Sequence, residues 1–324
     1  MDIYVKKAII HQFSPDDTDL YLADKFLNIT PKIEEYLRKK IERVYSDEAR
    51  TGIFEEDNPF LEMISDDLLE TSVAVANRWK EEFVVSENQK TNDLVFVEFS
   101  KEGVDHFAFL RIALRETLTH LGGEVDNPIK LTQNNLPGFG TGADEALVIN
   151  FQSRKYHLIE KRIKYNGTFL NYFSENLLQA QPKISPKKSI KALEKTAQKI
   201  AESFNTDDFQ FQSKVKSAIF NHIEEENKLS PEKLADDLFN DNLTARLSFI
   251  DQVKEAVPEP VTFEEIDASR QLKKFENQKL SLSNGIELIV PNNVYEDAES
   301  VEFILNDNGT YSILIKNIED IQSK

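Results

Sequence analysis

The spacing of hydrophobic residues changes twice along this chain, and these changes limit the folds open to it. Up to residue 165, short apolar runs mix with helical patterns. Beyond it, apolar residues recur every three or four positions, which predicts helices, and the last part returns to short runs separated by Asn-Gly, a strong hairpin signal. We therefore predict an α+β protein. Its expected parts are a mixed N-terminal domain (1–165) and a C-terminal domain (166–324) that is helical (166–260) and then forms antiparallel hairpins (261–324).

Individual elements follow from the same patterns. Strands are predicted at IYVKKAII, and antiparallel pairs at DLVFVEFSK with DHFAFLRIAL and at ALVINF with KYHLIEKR. Helices are predicted within residues 29–45 and 58–83, and the spacing of Phe169, Tyr172, Phe173 and Leu177 predicts another helical face. Two Asn-Gly turns, at residues 284–285 and 308–309, predict a small antiparallel sheet near the C-terminus.

Residue types that the chain lacks exclude several classes of protein. There is no cysteine, which rules out disulfides, thiolate metal sites and cysteine nucleophiles and is typical of a reducing compartment. The start, MDIYVKKAIIHQF, lacks the apolar run of a secretory signal, and no segment approaches the roughly 20 apolar residues of a membrane span. We expect a cytoplasmic protein without a membrane partner.

Charge is distributed unevenly along the chain. The formal net charge is −18, yet residues 152–199 hold eleven bases and three acids, so this stretch carries +8 and the remainder −26. Such asymmetry is typical of separate contact surfaces for separate partners. The eleven bases are Arg154, Lys155, Lys161, Arg162, Lys164, Lys183, Lys187, Lys188, Lys191, Lys195 and Lys199.

The densest part of this stretch, PKISPKKSIKALEKTAQKI, predicts an amphipathic helix. Lysines recur every four residues from Lys187 to Lys199, opposite an apolar stripe that runs from Ile190 to Phe204, and only Glu194 could pair with them. Two interpretations remain open. The lysines could meet nucleic-acid phosphates, with a log–log salt slope of about −4 to −5, or acidic surface elsewhere in this protein or in a second copy.

The helix is preceded by Ser185-Pro186-Lys187-Lys188, which is similar to short Ser-Pro-basic elements that contact the DNA minor groove. The same dipeptide type stands at Ser14, Thr30 and Ser230, each ahead of a predicted helix. In that position the hydroxyl would cap the helix and proline would be its first residue. We prefer this helix-start interpretation for Ser185.

A glycine-rich stretch, NNLPGFGTGAD, contains alternating glycines between Gly138 and Gly142. A phosphate-binding loop would need a strand before it, a helix after it and a Gly-Lys-Ser/Thr ending, which is missing. A surface loop is the preferred interpretation.

No catalytic pattern is present in the sequence. The five histidines are dispersed; His222 with Glu225 and Glu226 could present three metal ligands on one helix face, although an acidic surface turn is the simpler interpretation. Neighbouring acids do not share a helix face, and no Gly-x-Ser-x-Gly motif occurs. We predict a protein that is not an enzyme and that needs no cofactor or metal.

The order of segments resembles a family of nucleoid-associated bacterial proteins, the NdpA-like proteins. The resemblance covers nearly the whole chain through DIYVKKAIIHQF, FVEFSK with HFAFLRIAL, KYHLIEKRIKYNGTFLNYFSENL and KKFENQKLSLSNGIELIVPNNVYEDAESVEFILNDNGTYSILIKNI. It implies a cytoplasmic protein found with the nucleoid and not known as an enzyme. It carries over no motif of DNA-contacting residues.

Two hypotheses on function follow. In the first, a nucleoid-associated protein contacts DNA phosphates through the eleven bases of residues 152–199. In the second, an acidic adaptor binds a basic DNA-processing protein such as a topoisomerase without gripping DNA, which the acidic runs at residues 55–57 and 224–226 favour. Oppositely charged regions on one chain also predict possible homo-oligomers.

Overall fold

The computed structural model describes residues 1–16, 18–87, 89–120, 129–205, 209–263 and 265–322. The chain divides into two compact units, Met1–Ser185 and Pro186–Lys324. The predicted domains, residues 1–165 and 166–324, stay a prediction.

The first unit is built mainly of strands. Its elements are β1 (Ile3–Ser14), β2 (Asp19–Tyr21), α1 (Pro31–Glu42), β3 (Arg50–Ile53), α2 (Pro59–Glu62), α3 (Leu68–Phe83), β4 (Asn92–Lys101), β5 (Val104–Ala113), β6 (Arg115–His120), β7 (Ile129–Asn135), β8 (Glu145–Asn150), β9 (Lys155–Ile159), β10 (Ile163–Tyr165), β11 (Thr168–Leu170) and a π-helical turn (Phe173–Leu177). Seven strands form one antiparallel sheet in the order β2-β1-β4-β5-β8-β9-β3. The predicted strand pairs β4–β5 and β8–β9 are confirmed.

Both faces of this sheet are buried, each under a different helix. Along β4, Leu94 and Phe96 belong to the core that contains Trp79 of α3. Val95 and Val97 alternate with them, so they share the opposite face and pack with Leu37 of α1. Burial on both faces explains why the strands are apolar runs rather than strict alternations.

The second unit is helical and then ends in hairpins, as predicted. Its elements are α4 (Pro186–Ser203), α5 (Phe209–Glu226), β12 (Lys228–Leu229), α6 (Pro231–Phe239), α7 (Leu243–Lys254), β13 (Val261–Thr262), α8 (Glu265–Phe275), β14 (Asn277–Ser281), β15 (Glu287–Pro291), α9 (Asn292–Tyr295), β16 (Val301–Leu305) and β17 (Tyr311–Ile315). The α+β class is therefore confirmed. No helix in the described ranges is long and apolar enough to span a membrane.

One detail of the prediction is wrong. Phe169 lies in the strand β11 and not on a helical face, and the helical turn that follows it is a π-helix beginning at Phe173. Strand and helix periods overlap when apolar runs are this short, which explains the error. The predicted C-terminal hairpins are confirmed, and β14–β15 and β16–β17 each form a two-stranded antiparallel sheet.

Ser/Thr-Pro begins helices at three of the four predicted places. The Thr30 side chain accepts a hydrogen bond from the backbone N–H of Ile33, and Ser230 caps α6 in the same way. The helix α4 begins at Pro186, as the preferred interpretation predicted. Ser14 is the exception, because it is the last residue of β1 and a turn follows it.

Candidate nucleic-acid interface

The helix α4 carries five lysines on its exposed side. The buried side packs Ile190, Leu193 and Ala197 into the core of the second unit, which confirms the predicted amphipathic helix. We call the exposed lysines the lysine row: Lys187, Lys188, Lys191, Lys195 and Lys199. All five point to solvent because the period of α4 places them opposite the apolar stripe.

Three lysines of the lysine row form no salt bridge with the residues that the structure describes: Lys188, Lys191 and Lys195. Lys199 Nζ donates to the neutral side-chain oxygen of Gln252 over 3.1 Å. Lys188, Lys191 and Lys195 therefore present their positive charge to solvent.

The two acidic residues of α4, Glu194 and Glu202, interact with groups outside the lysine row. Glu194 is half-buried, and burial raises the pKa of its carboxyl while the charges of Lys274 and Lys216 lower it. Glu202 accepts a hydrogen bond from Gln198 over 3.2 Å. The charges that act on Glu194 are thus those of lysines outside α4.

The other six predicted bases lie in the first unit, where ion pairs are formed by Arg154, Lys161 and Lys164. Arg154 pairs with Glu56 at 3.1 Å, Lys161 with Asp144 at 2.6 Å, and Lys164 with Glu87 at 3.1 Å. Arg162 donates to the side chain of Asn171 over 3.3 Å. Lys155 is half-buried in β9, and the backbone N–H of Lys183 donates to Thr51 over 2.7 Å. Carboxylates thus already offset part of the charge that the sequence counted here.

The glycine-rich loop surrounds a buried lysine. Lys40 of α1 is fully buried, and its ammonium donates to the carbonyl oxygens of Gly138 (2.9 Å), Thr141 (2.5 Å) and Pro137 (3.4 Å). It also lies 4.4 Å from the centre of the Tyr36 ring. The loop directs carbonyl oxygens inward toward a cation, which is the opposite of a loop whose N–H groups bind phosphate. The loop covers Lys40 and supplies the acceptors for its ammonium group.

Stability of the first unit should rise between pH 7 and pH 9.5 because of Lys40. Burial lowers the pKa of Lys40 to about 8, and the positive charges of Arg43 and Arg115 lower it further. A lysine in the unfolded chain has a pKa of about 10.4. The unfolded chain therefore binds more protons in this range, and the free energy of unfolding should increase by about 2 kcal/mol. Urea unfolding followed by the fluorescence of Trp79, the single tryptophan, measures it. Lys40→Met is the control, because the increase should be missing from it; the same increase in both proteins would contradict the assignment.

The proposed metal ligands do not come together. His222 Nε2 lies 2.7 Å from Asp237, and Glu226 accepts a hydrogen bond from Lys233. Within the described ranges no group of three metal-ligating side chains could hold a metal ion. The simpler interpretation, an acidic surface turn, agrees with these contacts.

A buried polar cluster in the first unit was not predicted from the sequence. Arg111 donates to the carboxylate of Glu145 over 2.6 Å and to Asn92 over 2.8 Å. Tyr172 also donates to this carboxylate and accepts from the Trp79 indole over 2.9 Å. Burial raises the pKa of the Tyr172 phenol, with the Glu145 charge adding to the effect, so the phenol stays protonated and donates.

The fold is that of an α+β protein. The residues that the structure describes include a buried polar cluster in the first unit and the lysine row on α4 in the second. The sequence profile of the family described as nucleoid-associated protein YejK matches residues 9–321, nearly the whole chain. The chain belongs to this family, which confirms the resemblance found in the sequence. Membership also confirms the expected location, the nucleoid in the bacterial cytoplasm. A search of curated proteins finds no match.

Proposed function

We propose that the protein acts at the nucleoid by binding DNA phosphates through the lysine row of α4. The observation that carries this proposal is the arrangement of the row itself: exposed lysines at intervals of three and four residues, whose helix directs its nearest acid, Glu194, toward other bases. Like charges at this spacing each cost a helix a few tenths of a kcal/mol. A row of phosphates removes that cost and fits the location given by the family.

The rest of the surface limits how DNA can bind. The chain as a whole is strongly acidic, so carboxylates within about 10 Å of the bound phosphates, the Debye length at 0.1 M salt, repel them. Binding should therefore be short in range, independent of sequence and weakened steeply by salt. Such a protein works by contact alone and requires no catalytic group.

Salt dependence of duplex binding tests the proposal. Fluorescence anisotropy of a labelled DNA duplex should give a log–log slope of affinity against salt of about −4 to −5, because neutralising about five phosphates releases their counterions. A duplex of scrambled sequence serves as the control and should bind equally. Absence of binding even at low salt would contradict the proposal.

A second candidate is an adaptor that binds a basic DNA-processing protein, for example a topoisomerase. The observation that favours it is the β16–β17 hairpin, which combines exposed apolar side chains with neighbouring carboxylates. Acidic surface would steer a basic partner toward the chain and apolar contacts would hold it. This role does not need the lysine row, so the two candidates can be tested separately.

A further inference from the structure

The β16–β17 hairpin exposes apolar side chains on both faces. On one face Leu305, Tyr311 and Ile315 are 63%, 53% and 47% exposed. On the other, Ile304 and Leu314 are 39% and 46% exposed. An apolar surface of this kind on a soluble chain is typical of an interaction site.

The hairpin is nevertheless well anchored at its base. Val301 is buried, and the ring of Phe303 lies 5.3 Å from that of Tyr295 in α9. The backbone N–H of Lys316 donates to Ser300 over 2.9 Å. These contacts hold the β16–β17 hairpin, and with it the exposed side chains, in place.

Both outer edges of the hairpin are unpaired among the described strands, since β16 and β17 form a sheet of two. The bonds from Asn306 to Thr310 and from Lys316 to Ser300 fix which residues face the partner strand. By the alternation of an antiparallel pair, Ile313 and Ile315 direct their N–H and C=O groups outward. An unpaired edge of this kind accepts a further strand.

The surroundings of the hairpin are acidic. Residues 296–322 contain seven acids and one base. That base, Lys316, pairs with Glu302 at 2.6 Å, and its pKa is raised by this bond and by the charges of Glu299 and Asp297. The remaining negative charge attracts a basic partner and repels an acidic one.

We propose that the β16–β17 hairpin docks an extended, basic segment of a partner protein that alternates lysine or arginine with aliphatic residues. The segment adds a strand to an open edge, sets its aliphatic side chains against Leu305, Tyr311 and Ile315, and directs its bases to the carboxylates. This inference rests on the adaptor role proposed above. A second copy of this hairpin fits poorly, because it carries the same negative charge, and the lysine row offers no aliphatic side chains to cover the apolar face.

A synthetic peptide of alternating lysine and valine is the probe, labelled and measured by anisotropy against the full chain. It should bind, and Leu305→Ser with Ile315→Ser should weaken it by about tenfold or more, as expected when exposed contacts at the centre of an interface are truncated. Leu118→Ser is the matched control: Leu118 lies in the hairpin strand β6, is 74% exposed, and should not matter.

Altered peptides separate the parts of the proposal without changing the protein. Methylation of the backbone nitrogens on alternate residues should abolish binding in one register and spare it in the other, because only one set of N–H groups pairs with the edge. Replacing lysine by glutamate should abolish binding, and replacing valine by serine should weaken it at least about tenfold. Full binding by both methylated peptides, by the glutamate peptide or by the serine peptide would overturn the corresponding step.

Other outcomes distinguish failure of the proposed docking site from failure of the adaptor role. If the lysine–valine peptide binds but the hairpin variants bind it equally well, the docking site is wrong and the adaptor role survives. If the peptide does not bind at all, both fail, while DNA binding is unaffected. If sedimentation shows a dimer that Leu305→Ser with Ile315→Ser dissociates, the occupant is a second copy and the proposal is overturned.

Discussion

Combined replacement of Lys188, Lys191 and Lys195 by glutamate should weaken binding to a DNA duplex on the order of 100-fold at low salt. Each lysine removed takes one counterion-releasing contact away, so the salt slope should become shallower by about 3. The glutamates add repulsion from the phosphates. Anisotropy titrations at several salt concentrations measure both the affinity and the slope, and circular dichroism checks that α4 remains helical, since these positions are exposed.

The matched control replaces three bases of the first unit, Arg154, Lys161 and Lys164, by glutamate. The change in net charge is the same, but these bases already pair with carboxylates. Their replacement should therefore reduce affinity far less. Equal loss in both variants would assign the effect to net charge and not to the lysine row, and retention of wild-type affinity by the α4 variant would refute the proposed interface.

Features that depend on neighbouring residues could be predicted from the sequence. The lysine row follows from the spacing of Lys191, Lys195 and Lys199 within one helix, and that spacing is a local property. The C-terminal hairpins follow equally from their Asn-Gly turns, and Gly309 has the positive φ of 77° that such a turn requires. Local signals of this kind do not depend on how the rest of the chain packs.

Features that depend on the sheet topology could not be predicted. Arg111 and Glu145 are directly opposite each other only because β8 pairs with β5, and nothing near either residue signals that pairing. Lys40 shows the same limit. The period of its helix allows an exposed lysine, whereas the approach of the loop at residues 137–141 makes it a buried one. Counting charges along the chain likewise overlooked that Lys161 and Lys164 are paired.

Arg111→Met should lower the free energy of unfolding of the first unit by about 3–5 kcal/mol. The substitution leaves the Glu145 carboxylate fully buried without its countercharge, and removing one partner of a buried ion pair has a cost of this size. Urea unfolding followed by Trp79 fluorescence measures it, and Trp79 suits this purpose because its indole bonds to Tyr172, which bonds to Glu145. A more exposed group is the control: Arg78→Met, which breaks the pairs with Glu81 and Glu82 on the same helix, should cost less than about 1 kcal/mol.

The double variant Arg111→Met with Glu145→Met decides what the buried pair contributes. Neither charge remains, so no carboxylate is left buried without a partner, and stability should recover part of the loss. Recovery will be incomplete, because Asn92 and Tyr172 lose their buried hydrogen-bond partners and unsatisfied polar groups cost about 1–3 kcal/mol each. A double variant less stable than the sum of the two single variants would mean that this pair does not act as a unit. Losses in the single variants no greater than in Arg78→Met would mean that water reaches Glu145, contrary to its burial.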